Sequence, residues 1–267
     1  MTTTIDFENE VGFIWDVDGV IVDSPHEMAW RLTAELPEWG VEKGRLDSGF
    51  YHEYVSGRPR YEGGDAVLER LGVYERLGAE TCEMRKDLLE RYCTQKNELF
   101  GRLVIDGQFE IFESSVAMIV EAKERGVMQA MASASKNAKR LITNITRERV
   151  SEIAGSDCGC DTLYSVFDVD ASGMDGMTKS GIFAFAAARL HELSGGKIRY
   201  YIVFEDAPSG IAACKENGMF GVGVRRIGDQ PALTGAGADI VVDCLGELGY
   251  DRLRSAFLES ACAIACR

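Results

Sequence analysis

No stretch of this 267-residue chain approaches the roughly 20 consecutive apolar residues that a membrane-spanning helix requires. No bilayer partner is therefore expected. The first residues, MTTTIDFENE, have neither a basic start nor an apolar core, so export is not expected and the cytoplasm is the expected location. Positive charge is also scarce. Lys and Arg number 29 against 43 Asp and Glu, a net charge of −14. That balance argues against nucleic acid or an anionic membrane as the main partner. An anionic substrate would need local positive charge at its site. Internal repeats and low-complexity linkers are absent. Eight cysteines are present, but the close pairs Cys158/Cys160 and Cys262/Cys266 fit no common zinc spacing. Reduced thiols are expected rather than a disulfide framework, with Cys262 and Cys266 on one face of a last helix.

What is present is ordinary for a soluble globular protein, with 46% hydrophobic and 27% charged residues. Short apolar runs alternate with amphipathic segments. Strands are predicted at 12–17, 127–133, 162–167, 200–205, 220–224 and 239–243, and helices at 110–125, 137–150, 180–194 and 208–217. Several strands show little polar alternation, as strands buried on both faces do. The pattern predicts a Rossmann-like, doubly wound α/β sheet. Residues 25–107 break the rhythm and read only as helices, so a helical domain is inserted between a first core segment, 1–24, and the remainder, 108–267. The stretch 151–178 reads as loops around one short strand.

In such sheets ligands sit beyond the carboxyl ends of the strands. Those ends carry chemistry here. The run GFIWDVDG stops at Asp16 and Asp18, MAS ends at Ser133, and YYIVFED ends at Glu205 and Asp206. Lys179 opens the helix before that last strand. In a continuing strand Asp16 and Asp18 would share one face. A turning loop lets both aim at one atom, with Gly19 letting the backbone come close.

The ordered set DVDG, ASASKN, MTKSG and FEDAPSG resembles the core motifs of the haloacid dehalogenase superfamily of phosphotransferases. The similarity is greatest to the branch with a helical cap after the first motif, which includes β-phosphoglucomutase and related sugar-phosphate phosphatases. The resemblance implies that Asp16 is the nucleophile, forming an aspartyl phosphate, and that Asp18 is the general acid and base. It implies Mg²⁺ held by Asp16, the Asp18 backbone carbonyl and Asp206, with Glu205 close by. Several acids facing a phosphate would otherwise expel it, at roughly 4 kcal/mol per pair 4 Å apart. Lys179 and Ser133 would hold the phosphoryl oxygens, Ser133 from a helix start, with Lys136 and Asn137 on the rim. In the cap, His26, Arg58, Arg60 and Lys96 match positions that bind the sugar or a distal phosphate, an arginine fork being suited to bidentate grip.

Departures accompany the match. Ser180 follows the lysine where proline is usual, GRPR replaces a single arginine motif, and the loop before Lys179 is long and glycine-rich. These favour hydrolysis of a small sugar phosphate, with a β-phosphoglucomutase-like mutase as the alternative. An inactive phospho-ligand binding protein is the alternative from another class. A monomer or weak homodimer is expected.

Overall fold

The acids of the first motif follow the central strand of a parallel sheet. The computed structural model describes residues 5–56, 58–226 and 230–265. Its strands are β1 (Val11–Trp15), β2 (Val22–Asp23), β3 (Glu110–Ile111), β4 (Gln129–Ser133), β5 (Val169–Ser172), β6 (Tyr200–Glu205), β7 (Phe220–Val224) and β8 (Ile240–Val242). Six of them form one sheet in the order β5-β4-β1-β6-β7-β8, each neighbouring pair parallel. The chain runs outward from β1 through β4 to β5, then returns to the other side of β1 for β6, β7 and β8. In sheets of this order the carboxyl ends of the strands beside such a reversal are where ligands bind, here those of β1, β4 and β6.

The buried strands have the composition that position requires. Every residue of β1, β4 and β7 is buried. On one face Ile14, Ala130, Ala132 and Val203 pack with Ile182, Phe183, Ala186 and Leu190 of helix Lys179–Leu193. On the other, Phe13 meets Phe7, Phe204 and Tyr250, and the Trp15 and Phe204 rings stack with centroids 3.7 Å apart. The one polar atom of Trp15 is satisfied, its indole N–H donating to Gln129 Oε1 at 2.8 Å. Each large side chain buried this way contributes about 1.5–3 kcal/mol.

The chain divides into two units, Met1–Asp23 with Glu110–Arg267, and Ser24–Phe109. The second unit is helical, built from His26–Ala34, Ser48–Tyr54, Arg60–Arg70, Val73–Arg76 and Cys82–Ile105. Its own core gathers Trp30, Trp39, Leu46, Val67, Leu68 and Tyr92. Trp39 donates to Gln95, and the Tyr92 hydroxyl to the Trp30 carbonyl. In the first unit the segments next to the insertion are joined by a short ladder, β2 pairing antiparallel with β3.

Three expectations need correction. Residues 162–167 are not a strand: Leu163–Val166 is a 3₁₀ turn. Ser165 Oγ accepts from the backbone N–H groups of Asp161 and Thr162, closing the turn locally before any ladder forms. The sheet edge is instead the polar VDAS of β5. The helix expected over 137–150 is two, Ala138–Thr143 and Arg147–Ala154, the second capped by the Thr146 hydroxyl. Finally, Cys158 and Cys160 form a disulfide, because Gly159, at φ +64°, turns the chain back and brings the two Cα atoms within 5.3 Å. Cys82, Cys93, Cys214, Cys244 and Cys262 are free thiols, while Cys266 lies outside the described residues. No helix among the described residues is long and apolar enough to cross a membrane.

Candidate active site

Residues 17–22 turn immediately after β1. The Asp16 N–H still donates to Phe204, continuing the ladder with β6. Then Ile21 and Val22 donate back to the Val17 carbonyl, and Gly19, at φ +84°, donates to Val22 at 2.8 Å. The left-handed backbone at Gly19 is what lets the chain leave the strand between Asp18 and Val20. It also makes room, since a Cβ at Gly19 would lie 2.1 Å from Asp206 Oδ2.

Asp16, 6% exposed, receives a hydrogen bond from Lys179 Nζ on Oδ1 at 2.6 Å. Glu205 Oε2 lies 3.1 Å from the same ammonium, an ionic contact outside hydrogen-bond geometry, so this buried oxygen keeps an unused lone pair. Asp206 completes the group: one carboxylate oxygen from each of Asp16, Glu205 and Asp206 falls within 4.8 Å of the other two. One ammonium among three carboxylates leaves a formal charge of −2 when all are ionised. Burial, then the Asp16 charge, pushes the Glu205 carboxyl up, with Lys179 opposing. Burial, then Glu205, Asp16 and Asp18, pushes Asp206 up as well. Burial would lower Lys179, but Asp16 and Glu205 outweigh it and hold the ammonium charged. A compact set of hard oxygen donors with excess negative charge, too buried for water to screen, fits a divalent cation of the Mg²⁺ type.

Lys179 is placed by its helix start. Thr178 caps it, accepting from Gly181. Asn217 Nδ2 donates to both the carbonyl and the hydroxyl of Ser180. The serine that stands where proline is usual thus ties the lysine turn to the end of helix Pro208–Glu216.

Gly210 was not singled out from sequence. A Cβ there would lie 2.1 Å from Glu205 Cδ, so the helix passes against the buried carboxylate at the one residue type that fits. The signal was in FEDAPSG, a glycine five residues after the glutamate. Gly210→Ala is expected to destabilise the protein by about 1–3 kcal/mol through overpacking, a loss that exceeds the roughly 1 kcal/mol gain in helix propensity. A shift in the urea midpoint measures it, and an unchanged or raised midpoint would show that Glu205 yields freely.

The remaining candidates are less concentrated. Ser133 is 3% exposed at the end of β4, with its hydroxyl accepting from the Ser135 N–H at 3.1 Å. The helix expected at that point does not begin until Ala138, with Asn137 before it. Lys136 is exposed and paired with Asp175. In the helical unit, Lys96 is buried, donating to His26 Nδ1 at 2.8 Å and lying over the Trp30 and Phe100 rings. Burial, then the charges of Lys96 and Arg60, holds His26 well below its ordinary value, so its ring is neutral and accepts from the lysine. Arg60 therefore belongs with this cluster, whereas Arg58 is exposed on the loop before it.

Comparisons with known proteins agree on one family, although no protein-family model matches the chain. The crystal structure of the archaeal β-phosphoglucomutase from Pyrococcus sp. strain ST 04 is 37% identical, with a TM-score of 0.73, over 92% of this chain and 98% of that one. The β-phosphoglucomutase of Mycobacterium tuberculosis is 27% identical over 88% of this chain and 90% of its own length. That of Bacillus subtilis is 26% identical over 90% and 92%.

Proposed function

We propose, for a chain that belongs to the β-phosphoglucomutase family of the haloacid dehalogenase superfamily, a Mg²⁺-dependent phosphoryl transfer on a small phosphorylated sugar through Asp16. The observation that carries the proposal is the buried Asp16, held by Lys179 beside Glu205 and Asp206. Asp16 attacks phosphorus, the bond to the sugar oxygen breaks, and Asp18 supplies the proton that this oxygen takes up. Asp18 then removes a proton from the acceptor hydroxyl, which attacks the aspartyl phosphate and regenerates Asp16. Lys179 and the Ser133 hydroxyl hold the phosphoryl oxygens where charge builds. Lys136 and Asn137 form the rim. Asp16, Asp206 and the Asp18 carbonyl, with Glu205 close by, would hold Mg²⁺, which supplies charge neutralisation and polarises the phosphoryl group. His26, Arg58, Arg60 and Lys96 would grip the sugar or its second phosphate.

The acceptor separates two readings. The names of the relatives above support a sugar hydroxyl, as in a mutase. The GRPR motif and the long loop before Lys179 support water, as in a phosphatase. The test is to incubate the protein with Mg²⁺ and β-glucose 1-phosphate, primed with a sugar bisphosphate, and to follow isomer and free phosphate together. Isomer with little phosphate is the expected result. Phosphate without isomer moves the assignment to a phosphatase. Neither product, from this or any other sugar phosphate tried, would remove phosphotransfer altogether.

A further inference from the structure

Three consecutive carbonyls of the turn after Asp18 are each held by a donor distant in sequence. Gly19 accepts from Arg226 Nε at 2.9 Å, Val20 from the Ser115 hydroxyl at 2.6 Å, and Ile21 from the Phe112 N–H at 3.0 Å. Two of these donors belong to the start of helix Glu113–Glu124 and the residue before it. The third is a side chain that comes from beyond β7, almost at the other end of the core sequence. Arg225, just before it, turns outward to an exposed pair with Asp243. Arg226 turns inward. Its guanidinium lies over the Phe112 ring, 3.7 Å from the centroid, and its Nη1 reaches the Asp243 carbonyl at 3.3 Å. Its Nη2 is buried and has no hydrogen-bond partner among the described residues. A half-buried arginine with an unsatisfied donor costs free energy that a smaller side chain would not.

We propose that Arg226 is a positioning residue for proton transfer, fixing the Gly19–Val20 peptide, one residue past Asp18, so that the Asp18 carboxyl meets the leaving oxygen. The proposal rests on the reading of Asp18 as general acid. The geometry explains the residue type. Gly19 is held at its N–H by Val22 and at its carbonyl by Arg226, so both peptide planes beside this freely rotating residue are fixed. A glycine has no side chain with which neighbours can restrain it, so restraint must come through its backbone. The planar fork donates to two carbonyls while stacking on Phe112, which is itself bonded to Ile21 of the same turn. Lysine offers a charge without that plane. Burial pulls the guanidinium below its ordinary value, and Cys244, Asp206 and Glu110 offset part of that.

The test compares leaving groups. With Mg²⁺ present, kcat/KM is measured for phenyl phosphate, whose leaving oxygen needs a proton, and for 2,4-dinitrophenyl phosphate, whose leaving group departs as a stable anion. Arg226→Met is expected to lose about tenfold to a hundredfold on the first and less than about twofold on the second. Arg226→Lys should fall between wild type and Arg226→Met on the first substrate, which keeps the test valid if the methionine variant folds poorly. Ser115→Ala, which loosens the same turn one residue further on, should affect both substrates alike. Equal losses on both substrates in the Arg226 variants overturn the proposal. Asp18→Ala sorts the causes. If it is selective and the Arg226 variants are not, only the role of Arg226 fails. If it is not selective, the acid is not Asp18 and both fail.

Discussion

Asp16→Asn should abolish turnover, lowering kcat/KM on any accepted phosphate ester by at least about a thousandfold. Asparagine keeps the shape of the side chain but offers no carboxylate oxygen to attack phosphorus. The Lys179 ammonium donates to Oδ1 in the wild type, so on the proposed mechanism Oδ2 would be the attacking atom. Stability should change little by comparison, because two effects oppose. One negative charge leaves the neighbourhood of Glu205 and Asp206, and one partner of Lys179 is weakened while Glu205 remains at 3.1 Å. A net change within about 2 kcal/mol is expected. The measurement pairs steady-state kinetics with acid-quenched labelling. Wild type should retain label from the substrate on the protein, and the variant none. Residual turnover above a tenth of wild type, or label that persists in the variant, would place the nucleophile elsewhere.

Lys179→Met should produce the second large effect, on both activity and the pH dependence of stability. Without the lysine, Asp16, Glu205 and Asp206 share a buried site with no cation in contact among the described residues. Removing one partner of a buried ionic group costs about 3–5 kcal/mol. The pH dependence follows from proton counts. Glu205 and Asp206 are held above ordinary carboxylate values by burial and by each other's neighbours, so the folded protein binds more protons than the unfolded chain between about pH 4 and neutrality. Unfolding free energy therefore falls as pH rises through that window. In the metal-stripped wild type, urea midpoints should drop from pH 5 to pH 8. In Lys179→Met the opposing cation is gone, so the drop should steepen and most of the lost stability should appear at pH 8. Added Mg²⁺ should raise the pH 8 midpoint of wild type. A metal-stripped protein that is more stable at pH 8 than at pH 5 would contradict the clustering of these acids.

What the residues disclosed in advance depended on how local the cause was. β1, β6 and β7 were legible because a strand buried on both faces must be apolar throughout, and the acids at the ends of β1 and β6 interrupt that run abruptly. β5 was not, because an edge strand tolerates polar residues and VDAS carries no strand signal. TLYSVF misled in the opposite direction, its β-branched and aromatic content outweighed by the Ser165 hydroxyl turning the backbone. The two-residue β2 and β3 are too short for any periodicity. Partnerships between distant residues were beyond reach: Lys96 with His26, Asn217 with Ser180 and Arg226 with Gly19 are joined only by the completed fold. Gly210 lies between these cases. Its position was visible, but a glycine shows what must approach it only once Glu205 is in place.

The strand that carries Asp16 sits at the middle of the sheet, yet its neighbours arrive late in the chain. Phe13 pairs in register with Gln129 and with Ile202. Closing the first of these contacts spans more than a hundred residues and costs about 4 kcal/mol in loop entropy. During synthesis the segment Val11–Trp15 emerges well before β4 or β6, while the unit Ser24–Phe109 already holds its own hydrophobic core. The inserted helices have the partners they need before β4 is made, whereas the apolar segment ahead of them has none until the second half of the chain emerges. The residue proposed to do the chemistry leaves the ribosome more than a hundred residues before the strands that flank it.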